Sequence, residues 1–308
     1  VTDPEGRPAD VARDPSDSAN PLAQLVAPPI FVVGQHRSGT TWIFDLLTHP
    51  DDVAGVFESL LFTRDLGIGG VLHWGHWDEK QVATVKGITG RHTGIGQLVD
   101  KEEVREVFRT LAQRWLARAL KPSDRYLVEK SPSHLHSALE ILSVFPDARF
   151  VHVIRDGRDV AVSTQAARNW APGAMRKQAM SVLNVARQWE RAMVTSENLV
   201  GYLDPSQVVE ISYERMHAEP KAVATELFRF CGFEGGEDAV DAAIAATRFD
   251  ANYSGGDDQF RRAGRTGDWR SSLSLLDRLA FERGAGDMLR KRGYERSRWW
   301  WIRPSGRT

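Results

Sequence analysis

A single cysteine, Cys231, among 308 residues excludes an internal disulfide framework and any cysteine-based metal cluster, and it suits a reducing, cytoplasmic compartment. Long apolar runs are missing too. No stretch approaches the ~18 consecutive apolar residues of a membrane-spanning helix, so integral membrane contact is not expected. Neither charge sign dominates: 40 basic and 41 acidic residues leave a formal net charge of -1. That balance lacks the electrostatic footprint of a nucleic-acid binder and confines any basic site to a local cluster. The nine His and the acids show no ligand spacing such as H-E-x-x-H, so no metal is expected. Residues 1–27 mix acids with Pro and Ala, without the basic start and apolar core of a secretory signal, and read as a flexible tail. Repeats and internal linkers are absent beyond them, which predicts one domain over 28–295 and a Trp-rich C-terminal tail over 296–308.

What is present is an alternation of strand and helix signals. The apolar run Ile30 to Val33 leads into a Gly-containing loop and then a helical pattern carried by Trp42, Ile43, Leu46 and Leu47. Residues 125–129 (RYLVE), 149–154 (RFVHVI) and 207–211 (QVVEI) are further short runs rich in β-branched and aromatic residues, each followed by a helix-compatible segment. Longer helical stretches are predicted at 101–120, 174–200, 220–231 and 271–291, with Trp115 and Trp189 in the core. The Gly-rich segment 67–100 has no clear period and reads as a long loop suited to substrate binding. This order predicts an α/β fold, a P-loop-like central parallel sheet flanked by helices on both faces, with ligands at the carboxyl ends of the strands.

Residues 34–41 read GQHRSGTT, which keeps the glycine spacing of the phosphate-cradling loop G-x-x-x-x-G-K-[ST] but carries Thr40 where the lysine belongs. Backbone N–H groups at the following helix N-terminus still form an anion site, and Arg37 supplies positive charge from inside the loop. A second charged cluster, Arg155 to Asp159, follows the strand 149–154. Arg155 suits bidentate contact with a phosphate, and Ser163, in the first turns of the next helix, can reach the same anion. Arg158 and Asp159 read as surface ion pairs around the helix start.

Together, GQHRSGTTW at 34–42 and VIRDGRDVAVS at 153–163 resemble the 5′-phosphosulfate loop and the 3′-phosphate motif of sulfotransferases that use 3′-phosphoadenosine 5′-phosphosulfate (PAPS). FRRAGRTGDWR at 260–270 resembles the C-terminal glycine motif of the cytosolic members, matching at Arg262, Gly264, Gly267, Asp268 and Trp269, with Ala263 in place of a basic residue. The likeness covers residues 28–295 and suggests a bacterial-type member with features of both cytosolic and tyrosylprotein sulfotransferases. It implies PAPS as co-substrate, 3′,5′-adenosine bisphosphate (PAP) as product and no metal. Donor binding is implied for Arg37, Ser38, Gly39, Thr40, Thr41, Trp42, Arg155, Ser163, Tyr213, Arg262 and Gly264, with Arg37 also at the transferring group. Lys130, 25 residues before Arg155, matches the strand-end lysine that assists the leaving group. The His that cytosolic members carry two residues later is Pro132 here, so the base lies elsewhere. Glu58, 21 residues after Arg37, resembles in spacing the glutamate base of the tyrosylprotein members, with His134 and His136 as runners-up and His36 more ordinary.

The expected reaction is sulfuryl transfer to a hydroxyl of a small molecule, lipid or glycan rather than a protein. His73, Trp74, His76 and Trp77, together with His134, are candidates for an acceptor pocket. The run RSRWWWIRP, Arg296 to Pro304, favours a subunit interface, hence a homodimer, or a flap over the acceptor. A P-loop kinase predicts lysine at position 40, and a non-catalytic nucleotide binder does not require Arg37, Glu58 and Lys130 together.

Overall fold

The computed structural model describes residues 21–65, 67–69, 99–167, 181–247 and 266–302. Five short strands, β1 (Ile30–Gly34), β2 (Val53–Phe57), β3 (Tyr126–Lys130), β4 (Arg149–Ile154) and β5 (Val208–Ser212), pair in parallel in the order β2-β3-β1-β4-β5. Both β1 and β3 are buried along their whole length, as strands covered on two faces must be. Side-chain alternation divides the interior. Phe31 and Val33 join Leu127 and Phe150 in one core, and Ile30 and Val32 join Val128, Val151 and Val153 in the other.

Among the described residues, ten helices accompany the sheet: α1 (Thr40–Leu47), α2 (Lys101–Leu116), α3 (Ala138–Val144), α4 (Gly157–Ala167), α5 (Val182–Tyr202), α6 (Tyr213–Ala218), α7 (Pro220–Cys231), α8 (Gly236–Ala246), α9 (Trp269–Ser272) and α10 (Leu275–Lys291). On the first core pack α5 and α10, where Trp189 meets Phe281 at 6.1 Å between ring centroids. On the second lie α1, α7 and α8. Local sequence sets their ends: Pro220 opens α7 and Gly232 closes it at φ 75°, while Ser274 and Asp277 form a capping box on α10. Burial pushes the Cys231 thiol up to about 12, so the one sulfhydryl is an inert core group.

Register brings the carboxyl ends of the strands level, with Phe57 opposite Lys130, Gly34 opposite Val153 and Ile154 opposite Ser212. After β1 the chain crosses to the β2 edge, and after β3 it crosses back past β1 to β4. The loop following β1 therefore sits at the switch in strand order, where an open α/β sheet offers its crevice.

The fold class is as expected, but three local expectations are corrected. Residues 22–26 belong to the folded domain rather than to a loose tail. Leu22 is in the core, Gln24 Nε2 donates to the Lys121 and Asp124 carbonyls, and Val26 N–H donates to Arg125 O at 2.9 Å. Trp115 is 45% exposed, because α2 buries the stripe of Val104, Ala112 and Leu116 and position 115 falls off it, whereas Trp189 is fully buried. Trp300, placed in the C-terminal tail by composition, is core. Its indole packs edge-on against Trp269 at 5.2 Å and donates to Glu282 at 2.7 Å. Of its neighbours, Trp299 is exposed and Trp301 half-buried. Among the described residues, no helix is long and apolar enough to cross a membrane.

A buried polar cluster ties β4, β5 and α5 together. Glu210 accepts from His152, Ser196 and Arg292. Burial pushes the Glu210 carboxyl up, but the hydrogen bonds from His152 and Ser196, with the Arg292 contact, outweigh it and bring it down from 4.5 to about 2. A lowered folded-state carboxyl contributes stability above its unfolded value and loses it as the pH falls. The melting temperature of the wild type is therefore expected to fall between pH 4.5 and 2 more steeply than that of Glu210→Gln. Parallel melting curves of the two proteins against pH would remove Glu210 from the acid response.

Candidate active site

Every strand end contributes one group to a common crevice. The loop after β1 turns on two glycines that no larger residue can replace. A Cβ on Gly34 would lie 2.5 Å from Val153 O, and one on Gly39, at φ 92°, would lie 2.3 Å from the Tyr213 ring. Gly39 caps α1, whose first N–H groups have no partners within the helix. Inside that loop the Ser38 hydroxyl is buried without a hydrogen-bond partner among the described residues, a donor fit for an anion's oxygen. Arg37 adopts φ 73°, and its Nε donates to Ser163 Oγ at 3.0 Å. Burial, and then the nearby Arg155 charge, pull the Arg37 guanidinium below its ordinary value, so an anion here would relieve two crowded cations.

Arg155 reaches back from the end of β4. Its Nη1 donates to Arg37 O at 3.1 Å, its guanidinium lies 4.3 Å from the Tyr213 ring centroid, and its carbonyl accepts from the Trp189 indole at 2.9 Å. Tyr213, first residue of α6, is joined by Trp42 at 5.8 Å and His217 at 4.7 Å, an aromatic wall beside the loop. Thr40, Thr41 and Trp42 open α1 directly after the loop, and Ser163, in the second turn of α4, meets the loop through Arg37.

On the other side of β1, the β2–β3 register sets Glu58 beside Lys130. Glu58 N–H donates to Lys130 O at 2.7 Å, and Lys130 Nζ donates to Glu58 Oε1 at 2.6 Å. Lys130 is 1% exposed, with its ammonium 3.6 Å from the Phe57 ring centroid, so it is not a solvated strand-end lysine. Burial pulls its pKa down, and the bonded Glu58 opposes that shift. The Glu58 side chain is 41% exposed at the mouth of the crevice. His36 also stands there, its pKa lowered mainly by the protein crowding it, with Glu58 opposing and Lys130 and Arg37 adding to the shift.

Three expectations about the site change. His134 is fully buried, and both ring nitrogens are engaged. Its Nε2 accepts from Phe62 N–H at 3.0 Å, which leaves Nδ1–H to donate to Glu129 at 2.9 Å, so it is neither base nor acceptor contact. His136 is exposed and contacts Thr195 at 3.3 Å. Arg158 and Asp159 are not surface ion pairs but are 1% and 2% exposed. Asp159 accepts from Gly267 N–H at 2.6 Å and Trp269 N–H at 2.9 Å, and thereby clamps the third sequence motif to the second. Burial raises the Asp159 carboxyl, and those two N–H bonds oppose it. His73, Trp74, His76, Trp77, Arg262 and Gly264 lie outside the described residues. The sequence reading missed Glu129, the one acid inside a strand that is otherwise apolar until its end, and that charge was its only signal. Among the described residues, no group of three or more His, Cys, Asp or Glu is placed to hold a metal ion.

Comparison with known proteins bears on the fold and the family. The sulfotransferase STF9 of Mycobacterium avium superposes with a TM-score of 0.52 at 15% identity, over 94% of this chain and 81% of its own. Mouse sulfotransferase SULT7A1, complexed with PAP, gives a TM-score of 0.50 at 14% identity, over 90% of this chain and 92% of its own. These likenesses concern the fold. An uncharacterized protein of Aquifex aeolicus (strain VF5) is 25% identical over 209 residues, 66% of this chain, and the match spans only 25% of that relative's length. The profile of the sulfotransferase family matches residues 28–237, more than half of the chain, and the chain therefore belongs to the sulfotransferase family.

Proposed function

We propose that the chain moves a sulfuryl group from PAPS to a hydroxyl of a small molecule, lipid or glycan by in-line displacement. The observation that carries this reading is the Glu58–Lys130 pair at the strand ends, flanking a phosphate loop that has Arg37 and Thr40 but no kinase lysine. The buried Ser38 hydroxyl, the N-terminus of α1 and Arg37 suit the 5′-phosphosulfate, and Arg155 and Ser163 suit a 3′-phosphate. Glu58 takes the proton of the acceptor hydroxyl as its oxygen bonds to sulfur. The bond between sulfur and the bridging oxygen breaks, and its electron pair stays on the 5′-phosphate. Arg37 and Lys130 face the charge that accumulates on that oxygen.

The test is a thermal-shift titration with PAP, AMP, ADP and ATP, with and without Mg²⁺. At about 100 times its dissociation constant PAP adds roughly 2.7 kcal/mol to the wild type, independently of Mg²⁺. Arg155→Ala is expected to bind PAP about tenfold or more weaker while AMP, which lacks the 3′-phosphate, binds as before. A shift that needs both ATP and Mg²⁺ overturns the reading in favour of a kinase.

A further inference from the structure

Resting on that reading, we infer that Glu129 is the positioning residue for Glu58. Successive residues of a strand face opposite sides of the sheet. At the end of β3, Lys130 turns to the Glu58 carboxylate while Glu129 turns to the segment just after it. Glu129 is 1% exposed and accepts four hydrogens: Ser59 N–H at 3.2 Å, Ser59 Oγ–H at 2.6 Å, Ser131 Oγ–H at 2.6 Å and His134 Nδ1–H at 2.9 Å. Its partners pass the restraint on. Ser131 Oγ accepts from Leu60 N–H at 3.1 Å, Ser59 Oγ from Leu61 N–H at 3.2 Å, and His134 Nε2 from Phe62 N–H at 3.0 Å.

Four consecutive backbone N–H groups, from Ser59 to Phe62, are thus held by one carboxylate directly or through one side chain. Such holding is what this turn requires, because Glu58 and Leu60 sit at φ 49° and 53° without being glycine, a conformation that persists only where the surroundings over-determine it. The acceptor-only character of a carboxylate is essential. A glutamine amide would present N–H either to the Ser59 and Ser131 donors or to His134 Nδ1–H. In the second case the imidazole must switch tautomer, and its new Nε2–H would oppose Phe62 N–H.

The experiment compares wild type, Glu129→Gln, Glu58→Gln and the double variant, with Ser59→Ala as a milder change should Glu129→Gln not fold. Three readouts are taken: hydrogen exchange of the Ser59, Leu60 and Phe62 amides, PAP affinity, and PAP release from PAPS with water as the sulfuryl acceptor. Glu129→Gln is expected to speed those amides about tenfold and to lower kcat by about 10- to 100-fold, with KM for PAPS and PAP affinity within about twofold. Ser59→Ala is expected to speed the exchange and lower kcat in the same sense but less, with PAP affinity again within about twofold. Because Glu129 acts through Glu58, the double variant is expected to be hardly slower than Glu58→Gln alone. Unchanged kcat in Glu129→Gln and Ser59→Ala despite faster exchange, additive losses in the double variant, or PAP affinity falling in step with kcat would each overturn the inference. A wild type that neither binds PAP nor releases it from PAPS refutes the proposed function instead, and unchanged exchange in the variants still refutes the restraint by Glu129.

Discussion

Replacing Glu58 by glutamine is expected to lower sulfuryl transfer by about 10² to 10⁴-fold while PAP affinity stays within about twofold. The amide keeps the shape of the side chain and can still accept from Lys130, but it cannot take a proton from the acceptor. Since Glu58 stands on the β2–β3 side of β1 and the phosphate loop closes against β4, its loss spares the groups suited to the nucleotide. A second consequence follows at Lys130. Burial already pulls that ammonium down and Glu58 opposes the shift, so removing the carboxylate lowers the Lys130 pKa further. The residual activity of Glu58→Gln should accordingly disappear at a lower alkaline pH than that of the wild type. Steady-state rates against pH, with PAP titrations alongside, measure both effects. Unchanged turnover would hand the base role to His36, the titratable group standing at the same mouth, and His36→Ala would then show the loss.

The largest expected loss of stability follows from Arg158→Met. The guanidinium donates to Asp156 at 2.7 Å, Glu295 at 3.2 Å and the Tyr294 carbonyl at 2.8 Å, and lies 3.8 Å and 4.8 Å from the ring centroids of Trp269 and Trp300. Methionine fills much of the volume but leaves Asp156 and Glu295 in the interior without their cation. Breaking a buried pair in this way costs about 3–5 kcal/mol. The melting temperature should fall by roughly 10 °C. Lys221→Ala, which removes an exposed pair with Asp241, should leave stability unmoved. Denaturant titrations of the three proteins decide it. A small loss in Arg158→Met would mean that water reaches Asp156 and Glu295 when the cation is gone.

The strands carrying the two phosphate-type loops were legible because they follow a rule of local sequence: an apolar strand, then glycine or charge, then a helix. Strand β4 matches its predicted span residue for residue, and β1 differs by Gly34 alone. β2 was not, because VAGVF offers two small residues in five and alternates poorly. Helix α8 escaped for a similar reason, since Gly235 and Gly236 in left-handed conformations interrupt the pattern in front of it. Harder to read were groups whose partners are distant in sequence. Glu129 meets Ser59 across 70 residues through the β2–β3 register, and Arg158 meets Tyr294 across 136. A charge four residues into an apolar run looks like a strand end, and an Arg near an Asp looks like a surface pair. Only the tertiary fold turns the first into a hub of four hydrogen bonds and the second into a buried cation packed against two indoles.

The Asp159 clamp also bears on how the protein comes off the ribosome. Arg37, Glu58, Lys130, Arg155, Ser163 and Tyr213 are all synthesised before residue 214, so these candidate site residues precede the segment that packs over the second motif. Yet Asp159 waits 110 residues for Trp269 N–H, and Arg158 waits longer still for Glu295 and Trp300. Until these arrive, two side chains of opposite charge that the finished domain buries stay wet, and the start of α4 cannot settle against the sheet. Translation thus delivers the candidate site residues first and the lock last, leaving an interval in which they are open to chaperones and to water.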